Sequence, residues 1–253
     1  MGKVFAITNQ KGGVGKTTTA VNLGAYLAVL GKKVLILDND PQGNATSGLG
    51  LRKSDIKKCI YDVLVSEIPI EEVILPTQVP KLMAAPATIR LAGAEAELVG
   101  MMARDQRLRR SLEPVRNEYD YILIDCPPSL GNLTLNALAA ADAVIVPIQC
   151  EYYALEGLSQ LMKTLQLVQK YSNPALEVEG VVLTMYDHRT NLSQQVAEEV
   201  RNYFQDRVYN AVIPRNIRLS EAPSHGLPIN LYDHRSKGAE SYFELAKEVI
   251  ARE

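Results

Sequence analysis

Little in this chain points outside the cell or into a membrane. Its three cysteines, Cys59, Cys126 and Cys150, are odd in number and show no C-x-x-C spacing, which argues against a disulfide framework or a zinc site and for a reducing cytosol. The first residues hold no apolar stretch of signal length, and Ala6 stands where N-myristoylation needs Ser or Thr. No uninterrupted apolar run approaches the roughly 20 residues that a bilayer-spanning helix requires. Basic charge is also short: 27 Lys and Arg against 29 Asp and Glu give a formal net charge of −2, so any contact with DNA has to come from a local patch. No linker rich in Pro, Ser or Gly, no charge block and no repeat divides the 253 residues, and 47% hydrophobic with 22% charged residues is an ordinary globular composition. Residues 1–253 therefore read as a single domain.

The most informative stretch is Gln10-Lys11-Gly12-Gly13-Val14-Gly15-Lys16-Thr17-Thr18, between the apolar run Val4 to Thr8 and a helix-patterned stretch. Strand, glycine loop and helix N-terminus in that order form a polyphosphate cradle. Backbone N–H groups point into the loop, the helix dipole adds partial positive charge, and Lys16 adds a full one. The general pattern G-x-x-x-x-G-K-[ST] is not met strictly, because Gln10 stands at the first glycine position. The dinucleotide fingerprint G-x-G-x-x-G fails too, with Thr18 at its third glycine. Residues Lys11 to Thr18 are thus expected to hold a nucleoside triphosphate, with the Thr17 hydroxyl on Mg²⁺. Asp125 ends a wholly apolar run, the position of an acid that holds the metal shell through water. Asp38 and Asp40 both end another strand, and either can serve a metal or a nucleophile.

Short β-branched runs alternate with longer periodic ones, as in βαβ units on a parallel sheet. The expected strands are Val4 to Thr8, Val34 to Asp38, Lys81 to Ala85, Tyr121 to Asp125, Ala143 to Ile148, Glu179 to Thr184 and Val208 to Ile213. The expected helices are Lys16 to Leu30, Ala103 to Tyr119, Leu133 to Ala141, Glu156 to Tyr171, Leu192 to Phe204 and Ala239 to Ala251. This predicts an α/β fold with a doubly wound, mostly parallel sheet, a P-loop NTPase, its ligands bound outside the carboxyl ends of the strands.

The motif K-G-G-x-G-K-T-T resembles the deviant Walker A sequence of the ParA/MinD ATPases. Nearly the whole chain agrees: Asp38 to Thr46, Ile122 to Ser129, Glu151-Tyr152-Tyr153-Ala154-Leu155-Glu156-Gly157, Leu183 to Asp187 and Val212 to Asn216 continue the match. It is most similar to chromosomal ParA proteins of the Soj type. The resemblance implies an ATP hydrolase in which Asp40 orients the attacking water and Asp38 is structural. It implies that Lys11 reaches across a homodimer to the partner's ATP, where the residues alone leave open a solvated lysine. Adenine contacts are implied at Thr184, Met185, Pro214, Arg215 and Asn216. The dimer is expected to bind double-stranded DNA without sequence preference through Arg189 and Arg218, and to be released on hydrolysis stimulated by a ParB-type partner, in chromosome or plasmid segregation at the nucleoid.

Two other readings stay open. A MinD-like membrane ATPase needs a C-terminal amphipathic helix with a basic face, whereas residues 240–253 carry four glutamates against Lys247 and Arg252; that helix is expected to dock on the core. A nucleotide-gated regulator would act through partners such as a replication initiator, since no appended helix-turn-helix pattern is present. His188, His225 and His234 lack ligand spacing, and Cys126 reads as a small buried side chain.

Overall fold

The computed structural model describes residues 2–151 and 154–252, with no side-chain description at residues 154–157 and 159. In chain order the elements are β1 (Lys3–Ile7), α1 (Lys16–Val29), β2 (Val34–Asp38), α2 (Asn44–Gly48), α3 (Ile60–Ser66), β3 (Leu75–Pro76), β4 (Leu82–Ala85), α4 (Leu91–Glu97), α5 (Arg107–Leu112), β5 (Tyr121–Asp125), α6 (Asn132–Ala140), β6 (Ala143–Gln149), α7 (Ala154–Tyr171), β7 (Glu177–Thr184), α8 (Asn191–Phe204), α9 (Ile217–Glu221), α10 (Ile229–Tyr232) and α11 (Lys237–Ala251). The strands form one seven-stranded sheet in the order β3-β4-β2-β5-β1-β6-β7. Every pairing is parallel except the short antiparallel β3 against β4.

Both faces of this sheet are covered, which is why its strands are apolar at nearly every position. Along β1, Val4 and Ala6 join the core beneath α3 to α8, while Phe5 and Ile7 join the core beneath α1, α2 and α9 to α11. β2 alternates likewise, with Leu35 and Leu37 on one side and Val34 and Ile36 on the other. The apolar stripe of α11 is used up in this way: Tyr242, Leu245, Ala246 and Val249 are buried against α1 and its neighbours. The Tyr242 and Thr19 hydroxyls meet at 3.1 Å inside that contact. Gly31 follows α1 at φ 96° and donates to the Ala28 carbonyl, the left-handed turn expected where that helix stops.

Two expected elements need correction. Val208 to Ile213 is not a strand of the sheet; it touches β7 through the isolated bridge Val181 to Val208, and a further bridge joins Tyr186 to Pro214. The cause is Glu248 on α11, whose carboxylate accepts from the Asn210 N–H at 2.8 Å and the Ala211 N–H at 2.6 Å. Those N–H groups are therefore spent on a side chain instead of a ladder. The helix expected over Ala103 to Tyr119 shrinks to Arg107–Leu112 plus a 3₁₀ turn at Arg116–Glu118, because Pro114 cannot donate and blocks continuation. The short helices α2, α3, α4, α9 and α10 have too few turns to show a helical period in the sequence.

Candidate nucleotide site

The phosphate loop leaves β1 and enters α1 through two left-handed residues, Gly13 at φ 75° and Gly15 at φ 87°. A side chain at either would be strained. Gly15 is the residue from which α1 starts, so the first N–H groups of that helix face the loop without a side-chain cap. The loop is braced from the far side of the sheet: the Thr184 hydroxyl, at the end of β7, donates to the Val14 carbonyl at 2.8 Å. Lys16 is buried and its ammonium donates to the Lys11 carbonyl at 2.9 Å. Burial lowers the Lys16 pKa, against which the nearby Asp125, Cys126 and Asp40 pull upward. Lys11 itself is half-buried, its N–H held by Asn9 Oδ1 at 3.1 Å.

The acidic residues converge on the same end of the sheet. Asp38 and Asp125 face each other in register at the tips of β2 and β5. Asp38 is tightly held: Oδ2 accepts from the Thr46 N–H and hydroxyl, both at 2.7 Å, and Oδ1 from the Asp40 N–H at 3.2 Å. Burial nevertheless pushes its pKa up to about 6, with the Asp40 charge adding to the rise. Asp40 is buried at the turn that follows, accepting from the Gln42 N–H at 2.9 Å. Asp125 is fully buried, and its pKa rises well above the carboxylate range through burial first and Asp38 second. The Thr17 hydroxyl approaches Asp125 and pulls the other way, yet neither carboxylate oxygen has a well-formed hydrogen bond. Two unmet oxygens in a buried carboxylate are costly without a partner. A hydrated divalent cation beside Thr17 would meet that need.

Beside the loop opens a cavity of about 530 Å³. Met185, Pro214, Arg215 and Asn216 line it together with Gly15 and Thr18, so the residues expected around a base are brought to the mouth of the phosphate loop. Leu219, Pro223 and Tyr242 supply apolar wall that the sequence did not suggest. Met185 is held at φ 50°, a left-handed conformation uncommon outside glycine. The two arginines expected on DNA are placed differently. Arg189 grips Asp187 with both Nε and a terminal nitrogen, at 2.9 and 2.7 Å. Arg218 reaches Glu221 at 2.9 Å and Asp233 at 3.4 Å. Both remain largely exposed, 77% and 54% at the side chain, so these are weak surface pairs. Tyr152 and Tyr153 of the E-Y-Y-A-L-E-G motif lie outside the described residues.

A glycine loop that opens a helix at the switch point of a parallel sheet, with a buried acid one strand away, is the architecture of a P-loop nucleotide-binding protein. Comparison with known proteins narrows this. A family model described as "AAA domain" matches residues 2–178. The chain is 65% identical to the sporulation initiation inhibitor protein Soj of Bacillus subtilis over 251 residues, covering 99% of each chain. It is 56% identical to the chromosome partitioning protein ParA of Myxococcus xanthus, covering all of this chain and 89% of that one. Among solved structures it resembles cobyrinic acid a,c-diamide synthase of Mycobacterium smegmatis with bound ADP and magnesium, at TM-score 0.87 and 38% identity, over 99% of this chain and 94% of that one. The chain belongs to the Soj/ParA family of chromosome-partitioning ATPases.

Proposed function

We propose that the protein is an ATP-gated switch for chromosome or plasmid segregation: it binds ATP and Mg²⁺, dimerises, holds DNA without sequence preference, and lets go on hydrolysis stimulated by a ParB-type partner. The observation that carries this reading is the buried Asp125 carboxylate with both oxygens unmet beside Thr17 and Lys16. Among the described residues no group of three or more His, Cys, Asp or Glu side chains could hold a metal ion. An ion here would therefore depend on Thr17, on waters oriented by Asp125, and on the nucleotide's own phosphate oxygens. Mg²⁺ would supply charge neutralisation on the β- and γ-phosphates.

The chain's own residues do the rest. Loop N–H groups and Lys16 hold the phosphates, Lys11 reaches a partner subunit's nucleotide, and Met185 with Pro214 to Asn216 seat the base. Asp40 orients a water for in-line attack on the γ-phosphorus, which breaks the bond to the β–γ bridging oxygen and leaves ADP and phosphate. Before hydrolysis, in the ATP-bound dimer, Arg189 and Arg218 meet DNA phosphates in place of Asp187, Glu221 and Asp233. The α11 stripe, buried against α1, has no apolar face left to lay on a bilayer. Among the described residues no helix is long and apolar enough to cross one. The experiment is DNA binding by the purified protein with ATP, with ADP and with no nucleotide, beside Lys16→Ala. ATP alone should support binding, and Lys16→Ala should lose binding and dimerisation together. A Lys16→Ala protein that dimerises with ATP at wild-type concentrations refutes the assignment.

A further inference from the structure

We infer that Glu95 is a positioning residue for the loop 126–131, which leads from Asp125 to α6, and that it holds this loop from α4. The first N–H groups of a helix need acceptors from outside it. At α6 the N-cap is Gly131, which has no side chain to offer. The acceptor comes instead from α4: Glu95 Oε2 takes the Asn132 N–H at 2.7 Å and Oε1 the Leu133 N–H at 3.2 Å. The Asn132 side chain returns the contact, donating to the Glu95 carbonyl at 2.9 Å. A Cβ at residue 131 would lie 2.5 and 2.6 Å from the two carboxylate oxygens, so a side chain there would push the Glu95 carboxylate aside. A carboxylate at a helix N-terminus also gains from the macrodipole.

The clamped turn is a junction of the nucleotide site. The Leu133 carbonyl accepts from Asn39 Nδ2 at 2.8 Å, which ties the Asp38 to Asp40 segment to the same turn. Midway along the loop, Pro128 lies 3.9 Å from where a Cβ on Gly12 would sit, against the phosphate loop. Residues 126–131 are thus held at one end by β5 through Asp125 and at the other by α4 through Glu95. Release of the α4 end loosens the loop beside the phosphate loop and the segment bearing Asp40, and leaves the Thr134 hydroxyl, which donates to the Ser129 carbonyl at 2.5 Å, as the side-chain tie between loop and α6. The role rests on the ATPase reading above.

The test is Glu95→Ala, alone and with Gly131→Asp, which supplies a local cap once the Glu95 carboxylate is gone. Turnover, KM for ATP, melting temperature and amide hydrogen exchange at residues 126–133 are measured on the full chain. Glu95→Ala should lower kcat by at least about fivefold, because the loop and the Asp40 segment are misplaced, with KM changed by less than about twofold. Adding Gly131→Asp should restore the melting temperature while kcat stays low and exchange at residues 126–131 stays fast, because the helix is capped again but α4 is not rejoined. Glu95→Gln, which keeps one acceptor oxygen, should fall between and serves if the alanine variant does not fold. Wild-type kcat in a folded Glu95→Ala protein, or full recovery of kcat by Gly131→Asp, overturns the tether. If the wild type itself has no turnover, the ATPase reading fails, and exchange at 126–133 alone decides: acceleration in Glu95→Ala supports the tether and wild-type exchange overturns it.

Discussion

Without a cation at the strand tips, this protein should become more stable as mild acid is added, against the usual trend. The perturbation is protonation of Asp38. Its pKa is about 6 in the folded protein against an ordinary value of 3.8, so above pH 6 the folded state carries an ionised carboxylate that the unfolded chain bears more easily. The cost of that charge is about 3 kcal/mol for a fully buried group. As pH falls, the folded state takes up the proton first, and stability rises wherever it binds more protons than the unfolded state. From pH about 7.5 to about 5 this gives on the order of 1 kcal/mol, which for a chain of this size raises Tm by about 2–4 °C. Asp125 acts in the same direction, raised by burial and by Asp38. Asp187 and Glu221 are held low by Arg189 and Arg218, so their contribution is lost only below their unfolded values and does not oppose the rise above pH about 5. The assay is thermal unfolding in EDTA without nucleotide, wild type beside Asp38→Asn. The variant should lose the Asp38 share of the slope and keep the share of Asp125, while its amide oxygen can still accept from Thr46 and hold the turn. A wild-type Tm that falls steadily over this window, in parallel with the variant, refutes the buried-charge account.

Three further outcomes follow from interactions remote from those acids. Tyr242→Phe removes the buried hydroxyl pair with Thr19 and should lower stability by about 1 kcal/mol in urea unfolding with an unchanged m-value. Arg252→Ala should lower it by about 2 kcal/mol, because this guanidinium lies 4.0 Å over the Tyr209 ring and donates to the carbonyls of Glu179, Asp206, Arg207 and Val208; hydrogen exchange at residues 205–209 should accelerate with it. Replacing Arg189 and Arg218 together by alanine should weaken DNA binding equally on two unrelated duplexes and reduce the salt slope by about 0.9 for each phosphate no longer neutralised, with dimer mass unchanged.

The phosphate loop was legible because it is local: nine consecutive residues specify the turn, the charge and the helix start. The buried strands were legible for the same reason, as apolar runs with Asp38 and Asp125 at their tips. What escaped depends on partners far apart in the chain. Glu248 withdraws Val208 to Ile213 from the sheet across 38 residues, and Glu95 caps α6 across 37. A lone glutamate on a helix carries no sequence sign of such a task. Thr184 was expected near adenine; its hydroxyl also braces Val14, a role visible only once β7 and the phosphate loop are side by side. The ion pairs of Arg189 and Arg218 lay closer to hand, since Asp187 and Glu221 are near neighbours in the chain.

Both margins of the sheet are blunt, and this bears on how copies of the chain can meet. At one margin, β3 is two residues long and ends in Pro76, which has no N–H to offer a newcomer. At the other, the outer side of β7 is occupied by a chain that is not a strand, with the Tyr209 and Ile213 N–H groups already donated to Val181 and Leu183. Among the described residues neither margin offers a long, flat strand on which an incoming segment could pair edge to edge. Self-association is left to faces that carry side chains, where it can be made conditional on what is bound, and a crowded or overexpressed population is steered away from irreversible clumping by the same geometry.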